Sequence, residues 1–248
     1  MESVIYNDDC FNKFASIADK SVQLVCVDLP YNCTGLRWDK EIIDLDKMWI
    51  ELKRIGKDNC KFVFFCTTKF GNTLINSNPK WFNYDIVWNK NKIIGYLDSN
   101  RKPLRKHEMM YVFYNPTKPK KLKWIYNPQK TEGKPYTSKG GSIRESSIYK
   151  SDTTNIAINN KGDRFPVSIL EYNYDKKKLH NTQKPVALCE WIIKTYSNEG
   201  DVVMDFTMGS GSTIIACINT NRKYIGIEKD ETIFLTAQKR IEERLNNI

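Results

Sequence analysis

The sequence predicts an α/β protein with a mostly parallel sheet and helices on both of its faces. Short apolar runs rich in β-branched and aromatic residues alternate along the chain with helix-like stretches. Near the carboxyl end, a glycine-containing turn stands between a predicted strand and a predicted helix, as it does in βαβ units. The 248 residues suffice for one substantial core. We therefore expect one α/β domain that carries one inserted segment.

Strand and helix signals alternate in the first part of the chain. Val4–Tyr6 predicts a strand, an acidic turn follows at Asn7-Asp8-Asp9, and a helix-like stretch continues to Ala18. The next predicted strand, Val22–Val27, runs directly into Asp28-Leu29-Pro30-Tyr31. Beyond it come a helical pattern closed at Gly56 and three β-rich runs, Phe62–Cys66, Phe82–Trp88 and Met109–Phe113. The tetrapeptide thus lies at the carboxyl end of a strand, where open parallel sheets bind ligands.

Residues 115–174 differ in composition from the rest of the chain. They are rich in Pro, Lys, Asn, Ser and Gly and show little periodicity, which predicts an inserted, loop-rich module. Aromatic residues are interleaved with basic ones, namely Trp124, Tyr126, Tyr136 and Tyr149. This mixture suits phosphate contact combined with base stacking, but it equally suits a surface insertion with a small aromatic core.

The α/β order returns after the insertion. Lys184-Pro185 opens a predicted helix. The strand Val202–Met204 then runs into a turn, Asp205 to Thr213, and an apolar helix follows. A further strand, Tyr224–Ile227, ends at the acid Glu228, before an amphipathic helix that continues through Arg244. These elements form a predicted nucleoside-binding βαβ half.

The net charge of +10 is concentrated in one part of the sequence. Residues 101–150 hold thirteen Lys and Arg against three Glu, so this block alone carries the surplus of the whole chain. Such a block favours a polyanionic partner, although a merely solvated basic face is the alternative. The seven cysteines lack CxxC pairs and zinc-like spacing, so we expect reduced thiols and no structural metal. With neither a secretory signal nor an apolar span, a soluble, cytoplasmic protein is expected.

The turn from Asp205 to Thr213 narrows the class of cofactor. No Lys follows Gly211, which argues against a nucleoside triphosphate, and Ile214 stands where a dinucleotide fold needs a small residue. Gly209 and Gly211 let the backbone approach a ligand, and Glu228, nineteen residues after Gly209, can accept hydrogen bonds from ribose hydroxyls. The carboxylate of Asp205 repels a pyrophosphate but suits a cationic sulfonium and ammonium. The residues favour S-adenosylmethionine, although a capping role for Asp205 stays open.

The tetrapeptide Asp28–Tyr31 suits a specific reaction. An exocyclic base nitrogen is a poor nucleophile because its lone pair is delocalised into the ring. A carboxylate and a backbone carbonyl that each accept one N–H favour tetrahedral geometry and stabilise the developing charge. Pro30 stiffens the turn and Tyr31 can stack on an extruded base. The alternative is a turn with a core tyrosine, because Asp and Pro are common turn residues.

Taken together, these motifs resemble those of the DNA amino-methyltransferases. Asp28-Leu29-Pro30-Tyr31 is similar to their D-P-P-Y motif, and the segment from Asp205 to Thr213 is similar to their D-P-F-x-G-S-G-T-T motif. The segment from His180 to Pro185 resembles H-P-T-Q-K-P, and Asn7–Cys10 resembles an acidic G-D-C turn. Trp88-Asn89-Lys90 and Lys106-His107-Glu108 are also similar to segments of the family's later strands.

The order of the motifs resembles the circularly permuted β class of this family. The resemblance implies a Rossmann-like methyltransferase fold with a mostly parallel seven-stranded sheet, one strand of it antiparallel. It also implies a catalytic half at 1–114, an inserted target-recognition region at 115–174 and a cofactor half at 175–248. Asp28, Leu29, Pro30 and Tyr31 are the catalytic residues that it implies. The cofactor-binding residues that it implies are Asp9, Lys184, Asp205, Phe206, Gly209, Ser210, Gly211, Ser212, Thr213 and Glu228.

Some positions depart from the family pattern. Leu29 replaces the first Pro of D-P-P-Y, which keeps the backbone carbonyl but makes the turn less rigid. Phe206, Thr207 and Ser212 replace the usual Pro, Phe and Thr, and Asn181 replaces Pro. None of these changes removes a functional group that the reaction requires.

The resemblance predicts methylation of adenine N6 in duplex DNA, because Asp in the first catalytic position is typical of adenine enzymes and Ser of cytosine-N4 enzymes. The base would be flipped into the site, and the transfer would be direct, without a metal. Cytosine N4, RNA and a protein amide are the alternative acceptors. A non-catalytic DNA-binding relative is an alternative of another class. A homodimer and a cognate restriction endonuclease stay open as partners.

Overall fold

The computed structural model describes residues 2–30, 43–117, 122–139, 158–175 and 183–247. Tyr31, His180, Asn181, Thr182 and Tyr149, which the sequence singled out, lie outside the described residues. The chain divides into two compact units, one of residues 1–127 with 168–248 and the other of residues 128–167. Within the described ranges, no helix combines the length and the apolar character that crossing a membrane requires.

Strands and helices alternate through the first part of the larger unit. They are β1 (Val4–Asn7), α1 (Cys10–Phe14), β2 (Val22–Asp28), α2 (Leu45–Ile55), β3 (Gly56–Cys66), α3 (Thr68–Ser77), β4 (Phe82–Ile94) and β5 (Arg105–Tyr114). Side-chain oxygens cap the helices: Asp9 accepts from Phe11 N at the start of α1, and Asp44 from Lys47 N at the start of α2. The alternation follows the predicted order of elements.

The rest of the larger unit continues with β10 (Ile169–Tyr172), α4 (Val186–Tyr196), β11 (Val202–Asp205), α5 (Ser212–Asn219), β12 (Lys223–Glu228) and α6 (Glu231–Leu245). Pro185 immediately precedes α4, because its fixed φ suits a helix start. Gly211 caps the amino end of α5 in the left-handed conformation, with φ 78°. A side chain at this position would be strained, which explains the second glycine of the turn.

The main sheet of the described chain has eight strands in the order β1-β12-β11-β2-β3-β5-β4-β10. All pairings are parallel except those of β5, which runs antiparallel to both of its neighbours. The predicted α/β class with one antiparallel strand is therefore confirmed, but the predicted count of seven strands differs. The eighth strand is β10, which pairs in parallel with β4 at Ile169↔Val87. Its four residues, Ile169–Tyr172, lie inside the segment 115–174 that the sequence predicted as a loop-rich insertion, so this strand was not predicted.

Helices cover both faces of this sheet. Along β2, Val25 and Val27 pack with the apolar residues of α1, α2 and α3, whereas Leu24 and Cys26 pack with those of α4 and α5. This alternation has the two-residue period of a strand, and both faces are apolar because both are covered. The six described cysteines are buried, as the sequence predicted for most of them.

The smaller unit contains two short antiparallel ribbons. Strands β6 (Thr131–Glu132) and β9 (Asp163–Arg164) form one, and β7 (Tyr136–Ser138) and β8 (Ile158–Asn160) form the other. The guanidinium of Arg164 lies 4.9 Å from the ring centroid of Tyr136, which is 46 % exposed. Two other aromatic residues of the predicted insertion lie in the larger unit, where Trp124 packs on Tyr114 with ring centroids 4.3 Å apart and Tyr126 packs near Tyr196.

Candidate active site

A cavity of about 620 Å³ opens at the carboxyl edge of the sheet. The strands β2, β11 and β12 end at its wall with Asp28, Asp205 and Glu228 respectively. Parallel strands bring their carboxyl ends to one edge, so residues distant in sequence meet there. Nine of the ten cofactor residues expected from the sequence line this cavity, namely Asp9, Lys184, Asp205, Phe206, Gly209, Ser210, Ser212, Thr213 and Glu228.

Gly211, the tenth of these residues, is not part of the cavity wall. A Cβ atom there would lie 3.4 Å from the Cβ atom of Ala237 in α6. That distance is an ordinary van der Waals contact, so it is the positive φ of 78° that favours glycine here and gives Gly211 its role in shaping the turn. Both glycines of the turn have a positive φ, but only Gly209 lines the cavity, a difference that their spacing in the sequence did not show.

The turn between β11 and α5 is held by carboxylates. Asp205 accepts a hydrogen bond from Thr207 N at 3.1 Å, and Glu228 accepts one from Gly209 N at 2.9 Å. The second oxygen of Glu228 accepts from Asp230 N at 2.9 Å, so this carboxylate joins the turn to the segment after β12. Burial raises the pKa of Glu228. Two backbone N–H donors therefore fix the acid expected to contact ribose.

Asp205 is 4 % exposed. Burial raises its pKa to about 7, and the neighbouring carboxylates of Asp28 and Glu228 add to the increase, while hydrogen bonds from Thr213 and Thr207 oppose it. A cation bound in the cavity would favour the ionised form of this carboxyl group. The site is therefore electrostatically prepared for a positively charged ligand.

The composition of the cavity wall fits the cofactor predicted from the sequence. Seven carboxyl side chains line it against two lysines, and apolar groups lie among them. The carboxyl groups belong to Asp8, Asp9, Asp28, Asp44, Asp205, Glu228 and Asp230. Phe11, Phe206, Met208 and Ile233 supply apolar surface of the kind that contacts a nucleobase. A cationic nucleoside such as S-adenosylmethionine matches both properties, whereas a polyphosphate would be repelled.

Asp28 ends β2 at the other side of the cavity. Its backbone carbonyl accepts a hydrogen bond from Thr207 Oγ1 at 3.0 Å, which joins the tetrapeptide to the turn after β11. Pro30 lines the cavity. Leu29 is 2 % exposed and packs in the core, so its side chain anchors the segment where the family pattern has proline. Thr207, at a position that departs from the family's Phe, supplies a contact that sequence reasoning missed.

A line of alternating charges leads from Asp28 into the protein. Lys184 Nζ lies 2.5 Å from Asp28 Oδ2 and 2.9 Å from Glu108 Oε1, while Lys90 Nζ lies 3.0 Å from Glu108 Oε2. The side chains of Lys90, Glu108 and Lys184 are only 5 %, 12 % and 11 % exposed. We call these four residues the buried charge cluster. Burial raises the pKa of Glu108, but the two lysine ammonium groups outweigh it and lower that pKa below its ordinary value.

Lys90 and Glu108 were noted in the sequence only as part of strand motifs. The sequence did contain a signal for them, because each is a charged residue that adjoins an apolar strand run. In the structure, β4 and β5 pair Trp88 with Glu108, two residues from Lys90. The antiparallel register that brings the two together was not readable from the sequence.

A second supporting contact comes from α6. Arg240 donates to the carbonyl oxygen of Ser210 at 2.9 Å and lies 3.6 Å from Asp175 Oδ2. Asp175 in turn accepts from Gln183 Nε2 at 2.9 Å, next to Lys184. Arg240 and Asp175 thus connect the glycine turn with the segment that carries Lys184. Neither stood out in the sequence, because both act across elements.

Comparison with known proteins gives a consistent result. A family model described as a DNA methylase, of the N6/N4 group, matches residues 22–239. The type II methyltransferase M.HpaI of Haemophilus parainfluenzae is 24 % identical over 99 % of this chain and 76 % of its own length. The type II methyltransferase M1.MboII of Moraxella bovis is 25 % identical over 90 % of each chain.

Solved structures show the same likeness. The structure of an M1.HpyAVI–SAM complex has 25 % sequence identity and a TM-score of 0.60, with 95 % of this chain and 98 % of that chain covered. The cytosine-N4-specific PvuII DNA methyltransferase has 14 % identity and a TM-score of 0.64, covering 99 % of this chain and 92 % of that one. The second likeness concerns the fold alone.

Proposed function

Because the chain belongs to the N6/N4 DNA methylase family, we propose that it methylates the N6 amino group of adenine in a short sequence of duplex DNA. The chain is a site-specific, S-adenosylmethionine-dependent DNA amino-methyltransferase. What the proposal adds to this family assignment is adenine N6 as the atom that accepts the methyl group. The observation that carries it is Asp28, a carboxylate at the end of β2 in the same cavity as Asp205 and Glu228.

The residues of the reaction end suggest how the acceptor is activated. In this proposal, the Asp28 carboxylate accepts one N–H of the amino group and the backbone carbonyl of Leu29 accepts the other, while Pro30 stiffens the turn and Tyr31 stacks on the flipped base. Bound S-adenosylmethionine supplies a methyl group on a positively charged sulfur. Asp28 stabilises the positive charge that develops on the nitrogen and takes up the proton that this nitrogen loses. Lys184 holds the Asp28 carboxylate in place.

The cofactor end has the complementary role. We propose that Glu228 accepts hydrogen bonds from the ribose hydroxyls and that Asp205 and Asp9 face the cationic part of the cofactor. The other proposed cofactor contacts are Lys184, Phe206, Gly209, Ser210, Ser212 and Thr213, with Gly211 shaping the turn. Residues 1–114 and 175–248 are the proposed catalytic and cofactor halves. Residues 115–174, which include the smaller unit, are the proposed target-recognition region.

The proposal is tested by incubating the protein with radiolabelled S-adenosylmethionine and unmethylated duplex DNA. Digestion of the product to nucleosides should release label in N6-methyladenosine rather than N4-methylcytidine. Asp28→Asn should lower kcat by about 10²–10³-fold, because it removes the charged acceptor at the reacting nitrogen, with cofactor affinity within a few-fold of wild type. Asp58→Asn, which alters an exposed pair with Lys20, is the matched control. Label in cytosine, or full transfer by Asp28→Asn, would contradict the proposal.

The type II relatives support one further part of the proposal. We expect the methylated sequence to be the target of a cognate restriction endonuclease. DNA from cells that express the chain should then resist one endonuclease, and the resistance should be lost with Asp28→Asn.

A further inference from the structure

Residues 91–106 form the end of the β4–β5 hairpin, and we call them the arm. Every residue from Asn91 to Leu104 is exposed except Asp98, which is half-buried. Five of the thirteen exposed large hydrophobic residues of the described chain lie here, namely Ile93, Ile94, Tyr96, Leu97 and Leu104. Leu97 is 100 % exposed and Tyr96 is 79 % exposed. A cluster of this kind marks an interaction site, since single exposed apolar residues are common but clusters are not.

The strand register shows where the arm lies relative to the catalytic residue. Asp28 pairs with Phe65, Phe65 pairs with Met110, and Met110 pairs with Ile86, so Ile86 stands level with Asp28 in the sheet. From Ile86, β4 continues to Ile94 in the direction of the carboxyl edge. At a rise of about 3.3 Å per residue, the strand extends up to about 25 Å beyond the level of Asp28. The arm thus projects on the side of the sheet where the cavity opens.

The net positive charge of the arm indicates which class of partner it binds. It carries five cations, Lys92, Arg101, Lys102, Arg105 and Lys106, against one acid, Asp98. Asp98 is already paired with Lys102 at 2.8 Å. Two copies of so positive a ribbon repel each other, which disfavours the arm as an interface between copies of this chain, whereas phosphates attract it. Residues 95–104 of the arm form the loop between β4 and β5, with one 3-10 turn at Tyr96–Asp98, and present their apolar side chains to solvent.

We propose that the arm is a DNA-contacting element outside residues 115–174, which lies along the duplex beside the target base. Its cations contact phosphates and its apolar side chains contact the groove. The inference rests on the proposed function, because a base that reaches Asp28 brings its duplex to the carboxyl edge, within reach of the arm. Exposed apolar residues would then be covered only when DNA is bound.

The test measures DNA binding separately from chemistry. In one variant, residues 93–104 are replaced by Asn-Gly, which closes a two-residue hairpin turn. In a second, Arg101→Ala and Lys102→Ala are combined, and a third is Leu97→Ser. Binding of fluorescent duplex DNA should weaken by about tenfold or more without the arm, and the double variant should lower the slope of log K against log salt by about 2. Affinity for S-adenosylmethionine should stay unchanged, which also verifies that the variants fold.

A charge-matched control removes two cations from the opposite edge of the sheet. Lys20→Ala with Lys223→Ala changes residues before β2 and at the start of β12, both exposed, and should leave DNA affinity close to that of wild type. Unchanged DNA affinity and salt slope in the arm variants would overturn the inference. So would loss of a dimer on arm removal with DNA affinity intact. If the arm variants lose DNA binding while the wild type transfers no methyl group, the arm stands and the proposed function fails.

Discussion

The two ends of the cavity are built in different ways. At the cofactor end, the carboxylates of Asp205 and Glu228 accept hydrogen bonds from Thr207 N and Gly209 N over two and nineteen residues, and Arg240 adds one bond to this turn from α6. At the reaction end, Asp28 is joined to Lys184 across 156 residues, and Glu108 and Lys90 come from two other strands. The first end is therefore a local structure, while the second is an assembly of buried charges that only the complete sheet brings together.

This difference determines what each end contributes. Carboxylates that backbone N–H donors hold in place offer a ligand fixed acceptors at little reorganisation cost. Buried charges, in contrast, are stable only as a complete set, since removal of one leaves its partner charged without compensation. We therefore expect substitutions at the reaction end to change folding stability and turnover together, and substitutions at the cofactor end to change mainly the affinity for S-adenosylmethionine.

The largest effect is expected from Glu108→Ala. It removes the one carboxylate between Lys184 and Lys90, both of which are nearly buried, so Lys90 loses its carboxylate partner and Lys184 keeps only Asp28. The free energy of unfolding should fall by about 3–5 kcal/mol. Urea denaturation followed by circular dichroism measures this change. Glu190→Ala is the matched control, because its pair with Lys194 is half-exposed and should be worth less than about 1 kcal/mol.

A second substitution at Glu108 tests whether this residue positions Lys184 or only stabilises the fold. Glu108→Gln keeps the size and part of the hydrogen bonding, so it should fold, but it releases Lys184 from one of its two carboxylates. We expect kcat to fall by more than KM for S-adenosylmethionine rises, because Asp28 still holds Lys184. The free energy of unfolding should fall less than it does for Glu108→Ala. Equal losses of stability for Glu108→Ala and Glu190→Ala would contradict the view that the buried charge cluster is stable only as a complete set.

The next largest effect is expected from Glu228→Ala. This change removes the acceptor for Gly209 N and Asp230 N as well as the proposed ribose acceptor. Affinity for S-adenosylmethionine should fall by about 10–100-fold, since hydrogen bonds to a charged group contribute about 1.5–3 kcal/mol. Isothermal titration calorimetry measures it, with Glu231→Ala in the exposed first turn of α6 as the control. An affinity equal to that of the control would argue against the cofactor role.

The same distinction between local and long-range contacts explains what could be read from the sequence. The turn from Asp205 to Thr213, the acid Glu228 and the tetrapeptide are continuous motifs at predicted strand ends, so they could be placed before the fold was known. Glu108, Lys90 and Arg240 could not, because their roles depend on the register of β4 with β5 and on the packing of α6. The strand β10 was missed because its four residues pair only with a distant strand.

Asp205 gives the cofactor end a pH dependence. Its pKa is raised to about 7, chiefly by burial, so the group is protonated below that pH in the free protein. A cationic ligand favours the ionised form, and its binding must release this proton at lower pH. Affinity for S-adenosylmethionine should therefore fall by up to about tenfold per pH unit as the pH decreases below 7. Because an acid with a raised pKa favours folding when protonated, stability of the free protein should decrease as the pH rises towards 7.

Two variants check this prediction. Asp205→Asn should flatten both pH profiles, while Asp201→Asn, at the opposite end of β11 and paired with Lys57, should leave them unchanged. Calorimetry from about pH 5.5 to about pH 8.5, roughly 1.5 pH units on each side of 7, covers the titration of Asp205. A cofactor affinity that is constant over this interval in the wild type would show that Asp205 does not face the charged part of the ligand.

The smallest effect is expected from Lys229→Ala, also at the cofactor end. Lys229 Nζ lies 3.2 Å from Asp9 Oδ2, but its side chain is 59 % exposed, and Asp9 is fixed independently by its hydrogen bond from Phe11 N. An exposed pair of this kind contributes about 0–1 kcal/mol, so affinity for S-adenosylmethionine should change by less than about fivefold. The comparison with Glu228→Ala is the sharper measurement. If loss of Lys229 weakened binding as much as loss of Glu228, surface charge rather than carboxylates held by backbone donors would supply the affinity, and the contrast between the two ends would fail.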